Sequence, residues 1–253
     1  EGDHHRIIAE KLTRVAKGEL KRLIVNMPPR HTKSEFASIY FPSWVMGLNP
    51  DMKIMQTTHT ADLSINFGRK VRNLMDSDEY SNIFPKVSLA SDSKSAGKWQ
   101  TSQGGEYFAA GVGGAIAGRG ADLLIIDDPH SEQDALSSTA FDNAFEWYTS
   151  GPRQRLQPGG AIIIVMTRWG MKDLTGQVIK MQGTDTMADE WEVIEFPAIL
   201  PSDKPLWPEF WNKDDLVKVK ASLPLAKWNA QWQQNPTATE GAIVKKEWWI
   251  IWE

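Results

Sequence analysis

The chain has 253 residues, is 41% hydrophobic and carries a formal net charge of −4, enough to bury the core of one large α/β unit with a smaller appendage. It contains no cysteine, which excludes disulfides and cysteine-based zinc sites, and no stretch is long and apolar enough to span a bilayer or to read as a signal peptide. The acidic balance argues against a surface coated with positive charge for tight static binding to nucleic acid, and the five histidines, His4, His5 and His31 among them, show no metal-ligand spacing.

In chain order, residues 6–17 read as a helix, 22–27 as a first strand and 33–47 as a second helix. The turn between them, in LKRLIVNMPPRHTKS, ends on Lys33-Ser34. A phosphate-binding loop needs a strand to aim it, backbone N–H groups to hold phosphate oxygens, a Lys to reach the β- and γ-phosphates and a Ser or Thr hydroxyl on Mg²⁺. Met27 and Thr32 stand where the usual pattern has glycine, and Pro28 and Pro29 have no N–H. A cradle would draw on the amides of Arg30, His31, Thr32, Lys33 and Ser34. Taken alone, the segment is equally a Pro-punctuated strand-to-helix turn with a solvated lysine.

KIMQTTH reads as a further strand, followed by a helix capped by Thr60 with Leu63, Phe67, Val71 and Leu74 at core-forming spacing. Arg69, Lys70 and Arg72 on that helix, with Lys245 and Lys246 near the end, could contact phosphate but more simply read as solvated faces. Residues 87–117 read as short antiparallel strands and glycine-rich turns at a sheet edge.

ADLLIIDDPH then tips the balance toward a nucleotide site. An apolar run from Leu123 to Ile126 closed by Asp127 and Asp128 suits a buried parallel strand opening into a ligand crevice. Asp127 would hold Mg²⁺ and Asp128 would polarise the attacking water, provided the strand ends there, because adjacent side chains on a strand face opposite ways. A helix runs from about 138 to Gly151-Pro152, a strand from Ala161 to Met166 ends on Thr167-Arg168, and 172–182 is helical again. Thr167 is placed to sense the γ-phosphate, or is simply a β-branched residue ending a strand. From Pro201 the composition shifts, with seven of the twelve tryptophans between Trp207 and Trp252. Trp228 and Trp232 share a helix face, and packing onto the core is the simpler reading than stacking on bases.

MPPRHTKSE, IIDDPH, PGGAIIIVMTRW with DLTGQ, LWPEFW, WNAQWQQNPT and EGAIVKKEWW, in that order from about Arg22 to Trp249, resemble the ATPase domain of the large terminase subunit of tailed bacteriophages, the motor that drives genome DNA into a preformed capsid. The resemblance implies an ASCE-type P-loop NTPase, a mainly parallel α/β sheet flanked by helices, over residues 1–200, and a small lid and linker subdomain over 201–253. It makes Lys33 and Ser34 the core of the Walker A loop, Arg30 its additional arginine, Asp127 the Walker B metal partner, Asp128 the catalytic carboxylate and Thr167 the coupling residue. A neighbour's arginine is expected to complete each site. Arg119, in a glycine-rich stretch before the Walker B strand, is the first choice, with Arg153, Arg155 and Arg168 as rivals.

The implied cofactors are ATP and Mg²⁺. The implied partners are double-stranded DNA, the procapsid portal protein, the small terminase subunit and further copies in a ring, a pentamer, in the host cytoplasm and without membrane. Glu1 is not an initiator Met, and WWIIWE lies near where terminases continue into a nuclease; the expectation is an isolated motor domain that hydrolyses ATP without cutting DNA. The rival functions are a helicase-like or remodelling ATPase and a nucleotide-binding scaffold without turnover.

Overall fold

A computed structural model of the chain describes residues 2–237. Its strands are β1 (Arg22–Asn26), β2 (Lys53–Thr58), β3 (Leu89–Lys94), β4 (Lys98–Thr101), β5 (Glu106–Gly111), β6 (Ala121–Asp127), β7 (Leu156–Met166) and β8 (Glu192–Glu195). They form one eight-stranded sheet in the order β3-β4-β5-β2-β6-β7-β1-β8. Neighbours from β5 through to β8 are parallel, and β3, β4 and β5 pair antiparallel at one edge. The edge hairpins expected over 87–117 are therefore present, and β5 also joins the parallel body through β2.

The helices are α1 (Asp3–Ala16), α2 (Phe41–Leu48), α3 (Ala61–Met75), α4 (Asp78–Ile83), α5 (Ser138–Ser150), α6 (Leu174–Thr184) and α7 (Lys213–Ala221). The helix expected over 33–47 begins with a π-helical segment, Glu35–Tyr40, that continues directly into α2. Pro42 sits in the first turn of α2, where its missing N–H matters least. Helix α5 ends at Gly151-Pro152 and passes through a short 3₁₀ turn into β7, which starts five residues earlier than its apolar run, at Leu156 rather than Ala161.

Central strands buried on both faces are continuously apolar, as the physics of a helix-covered parallel sheet demands. Leu124, Ile125, Ile126, Ile162, Ile163 and Ile164 are all 0% exposed. One layer packs α1, the 35–48 helical run and α3 on one face of the sheet, and the other packs α5 and α6 on the opposite face. The stripe of α3 is rotated from its expected position: Ser64, Phe67, Gly68, Val71 and Met75 face inward, and Leu63 turns toward a cleft. Gly68 causes this, since a Cβ there would lie 2.6 Å from the Ala96 carbonyl oxygen and 2.8 Å from the Tyr107 ring. Trp99 stacks on Tyr107 and donates its indole N–H to the Gly68 carbonyl. Arg69 and Lys70 lie exposed on the opposite side of the helix. Lys245, Lys246, Trp248, Trp249 and Trp252 fall outside the described residues.

The segment after β8 builds its own small core from Ala198, Leu216, Trp228 and Trp232, with Trp228 and Trp232 stacked at 5.7 Å. Both indoles are buried, which favours packing over base stacking. This core meets α1 and the Lys33 turn in an aromatic cluster. His31 stacks on Trp211 at 6.1 Å, Trp211 meets Trp232 edge-on, and His4 and His5 both abut Trp207. Both ring nitrogens of His4 are buried without a hydrogen-bond partner among the described residues, so the charged imidazolium is disfavoured there.

Burial, with smaller contributions from His5 and His31, lowers His4 from 6.5 to about 4. The unfolded chain therefore binds more protons than the native one between those values. The stability this ring contributes is complete above pH 6.5 and is lost as pH falls through the window. His4→Phe keeps a ring and removes the titration. Its urea midpoint is expected to fall less than that of wild type between about pH 7.5 and about pH 5, with the gap at the acid end worth about 1–2 kcal/mol. Equal acid sensitivity in the two proteins would remove His4 from this account.

Candidate active site

The sheet order places β7 between the strand that precedes the Lys33 turn and the strand that ends in the acidic pair. The C-terminal ends of β1, β6 and β7 thus lie side by side, where ligands bind in open parallel sheets. A cleft of about 420 Å³ opens there, lined by Pro29, Arg30, Lys33 and Ser34 on one side and Asp128 and Thr167 on the other. That volume is in the range of small-ligand sites. A broader surface hollow of about 570 Å³ near Leu20 is bordered by Asp185, Glu190 and Glu192; this acidic lining would repel a phosphate.

Lys33 is only 7% exposed. Its ammonium lies 2.9 Å from Asp128 Oδ2 and donates to Thr167 Oγ1 at 3.1 Å. The Thr167 hydroxyl in turn donates to the Met27 carbonyl at 3.2 Å, and its backbone N–H donates to Asp128 Oδ1 at 2.8 Å. One buried cation is held by the ends of two strands other than its own.

The backbone reaches this arrangement through left-handed residues. Arg30, Thr32 and Asp128 have φ of 63°, 69° and 42°. At Asp128 the turn solves the problem of adjacent acids: β6 ends at Asp127, and the reversed φ brings the next carboxylate onto the same side. At Thr32 it explains the departure from glycine, since the position does adopt the conformation that glycine enters freely, and a β-branched residue is strained there. Two hydrogen bonds hold it. The Thr32 hydroxyl donates to the His31 carbonyl, and His5 Nε2 donates to the Thr32 oxygen at 2.8 Å. The tautomer follows from His5 Nδ1 accepting the Gly2 N–H.

Asp127 is 1% exposed. Its Oδ1 accepts from Ser34 Oγ at 3.0 Å and its Oδ2 from Ser38 Oγ at 2.6 Å, and Gln56 Nε2 donates to Ser38 Oγ at 3.1 Å. Burial, then the neighbouring Asp128 charge, push the Asp127 carboxyl up to about 7, against the opposing pull of Lys33 and the two serines. A buried carboxylate with too little countercharge, beside a hydroxyl, is an oxygen-only donor set suited to a hard divalent cation. Among the described residues no three His, Asp or Glu side chains cluster into a ready-made metal site.

The other expected site residues fall in different places. Arg30 is exposed at the cleft mouth. The His31 ring is turned away from the cleft into the aromatic cluster, 0% exposed, with Nδ1 donating to the Pro29 carbonyl at 2.8 Å, so only its backbone faces the turn. Arg119 precedes β6 and thus lies at the opposite end of that seven-residue strand from Asp127, roughly 20 Å away at strand rise. It pairs with Glu106 at 2.9 Å and covers the Phe108 ring at 3.8 Å. Arg153 is paired with Asp189. Arg168, 8% exposed in its side chain, is locked between Asp173 and Glu195, which removes it as an arginine for a neighbouring molecule.

Several contributors escape a linear reading. Ser38 follows Ser34 by one helical turn, and Gln56 places an amide in the buried interior of β2; each is a polar residue at a core position, which is the signal that could have found it. His130 accepts the Leu174 N–H on Nε2 at 2.9 Å, tying the end of β6 to α6. Asp173 caps α6 at Gly176 and also accepts the N–H groups of Trp169 and Gly170.

No protein-family model matches the chain, and no curated protein sequence does. Solved structures do. The ATPase domain of the large terminase of Thermus phage P74-26, as a point mutant, superposes with a TM-score of 0.57 at 14% identity over 89% of this chain and 93% of that one. The large terminase of bacteriophage HK97 gives 0.51 at 14% identity over 86% of this chain. The large terminase of another thermophilic bacteriophage gives 0.52 at 11% identity over 88%. The chain spans about half the length of the latter two, 47% and 52%. It therefore has the fold of the ATPase domain of phage large terminases.

Proposed function

We propose that the chain is an Mg²⁺-dependent ATPase and serves as the motor domain of a phage terminase large subunit, moving double-stranded viral DNA into a procapsid. The observation that carries the reading is the Lys33 ammonium held between Asp128 and Thr167, with Ser34 and Asp127 paired beside it. The likeness to terminase ATPase domains supports the motor assignment over a generic P-loop scaffold.

Phosphoryl transfer requires positioning and charge neutralisation more than covalent chemistry. The amides of residues 30–34 and the Lys33 ammonium bind the β- and γ-phosphates. Ser34 and Asp127 would hold Mg²⁺, which when bound neutralises phosphate charge. Phosphate competes with Asp128 for the lysine. Once Lys33 turns to the nucleotide, Asp128 is free to orient the attacking water, still gripped on its other oxygen by the Thr167 N–H. Thr167 then reports loss of the γ-phosphate to the segment that packs on it, which acts as the lid. In an assembled ring Arg119 of a neighbouring copy completes the site, leaving its pair with Glu106 to do so. Portal protein, small terminase subunit, the ring itself and the host cytoplasm belong to the same proposal.

Steady-state ATP hydrolysis tests it. Lys33→Ala should lower kcat by about 100-fold or more, and turnover per molecule in wild type should rise with protein concentration as neighbours supply arginine. A wild type that never hydrolyses ATP, alone or with portal and DNA, contradicts the enzyme assignment. Arg119→Ala should leave nucleotide affinity unchanged and abolish the concentration-dependent part of turnover, by about 10³-fold in a full ring; an unaffected ring excludes Arg119. Ser38→Ala removes a hydrogen bond that orients Asp127 and should raise the Mg²⁺ needed for half-maximal rate by about 10-fold. An unchanged Mg²⁺ titration would show that Asp127 is not the metal carboxylate.

A further inference from the structure

Two successive backbone N–H groups at the end of β7 are taken by different parts of the molecule. That of Thr167 donates to Asp128, and that of Arg168 donates to Gln234 Oε1 at 3.1 Å, in a buried environment. We propose that Gln234 is a positioning residue that latches the C-terminal segment to the peptide holding the water-orienting carboxylate. The inference rests on the ATPase reading above.

Gln234 is built for one contact. It is 2% exposed and has a φ of 53°, a conformation that a glutamine rarely adopts. Its amide orientation is fixed from both sides, because Oε1 must accept from Arg168 while Nε2 donates to the Gln231 carbonyl. The residues before it are anchored elsewhere: the Trp232 carbonyl accepts the Ala198 N–H, and Gln233 pairs with both backbone groups of Ile199. Gln231 lines the nucleotide cleft. The segment is therefore stitched to the chain after β8 and touches the β7 end through Gln234.

Arg168 cannot yield by rotating its side chain, which Asp173 and Glu195 hold. A shift of the Trp228–Gln234 segment must then pull on the Arg168 amide and tilt the Thr167–Arg168 peptide. The adjacent Thr167 N–H, and with it Asp128, moves accordingly. Motion of this segment during the nucleotide cycle would couple in both directions to placement of the catalytic carboxylate.

Gln234→Gly deletes the amide while suiting the left-handed backbone, so a loss cannot be assigned to backbone strain. We expect Gln234→Gly to lower kcat by about tenfold with ATP KM changed less than about threefold, and to speed amide hydrogen exchange in residues 166–170 in the folded protein. The inference is overturned if Gln234→Gly retains wild-type kcat, if its loss lies wholly in KM, or if exchange in 166–170 is unchanged. Failure of the ATPase reading looks different: wild type itself neither binds nor hydrolyses ATP, and both proposals fall together.

Discussion

A lysine ammonium removed from water needs an anion and a full set of acceptors, and the architecture of the site follows from meeting that need at Lys33. The cation is attached to the turn after β1, its carboxylate to the end of β6 and its hydroxyl to the end of β7. Only a sheet that inserts β7 between β1 and β6 brings these three ends within reach of one side chain. Removing Asp128 would leave a buried unpaired charge, which costs far more than the pair itself contributes. The same exposure to electrostatics makes the site responsive, because a more highly charged anion would compete with Asp128 for Lys33.

Holding that geometry requires backbone conformations most residues avoid, at Arg30, Thr32 and Asp128. The surroundings over-determine them. Helix α1 contributes His5 to the Thr32 hydroxyl, and the C-terminal segment contributes Trp211 to the buried face of His31. The Lys33 turn is thus braced by the first helix and by the segment after β8. A threonine can stand where a glycine would be unstrained because its hydroxyl gains two partners that glycine lacks.

Charge is distributed in the same economical way around the acids. Asp127 is surrounded by donors that orient it without neutralising it, so the arrangement favours a cation at that point. Arg168 is held by Asp173 and Glu195, while Arg22 and Arg153 share the carboxylate of Asp189 at the other end of the strands. Arg119 pairs with Glu106 and covers the Phe108 ring, on the stretch preceding β6.

Much of this was written in local pattern. The apolar runs of β1, β6 and β7 specified buried parallel strands, the Lys33-Ser34 turn and the acidic pair identified themselves by residue type at strand ends, and Trp228 with Trp232 showed their shared face by helical spacing. Such signals survive in one dimension because they arise from burial and from chemistry that needs a fixed residue. Tertiary structure alone decided the strand order that sets Thr167 between Lys33 and Asp128, the rotation of α3 by the ring packed on Gly68, the turning of His31 away from the cleft, and the support given by His5, Ser38, Gln56 and Gln234. Each of these depends on contacts between segments distant in sequence, where a polar side chain is chosen by whichever buried donor or acceptor the fold brings to it.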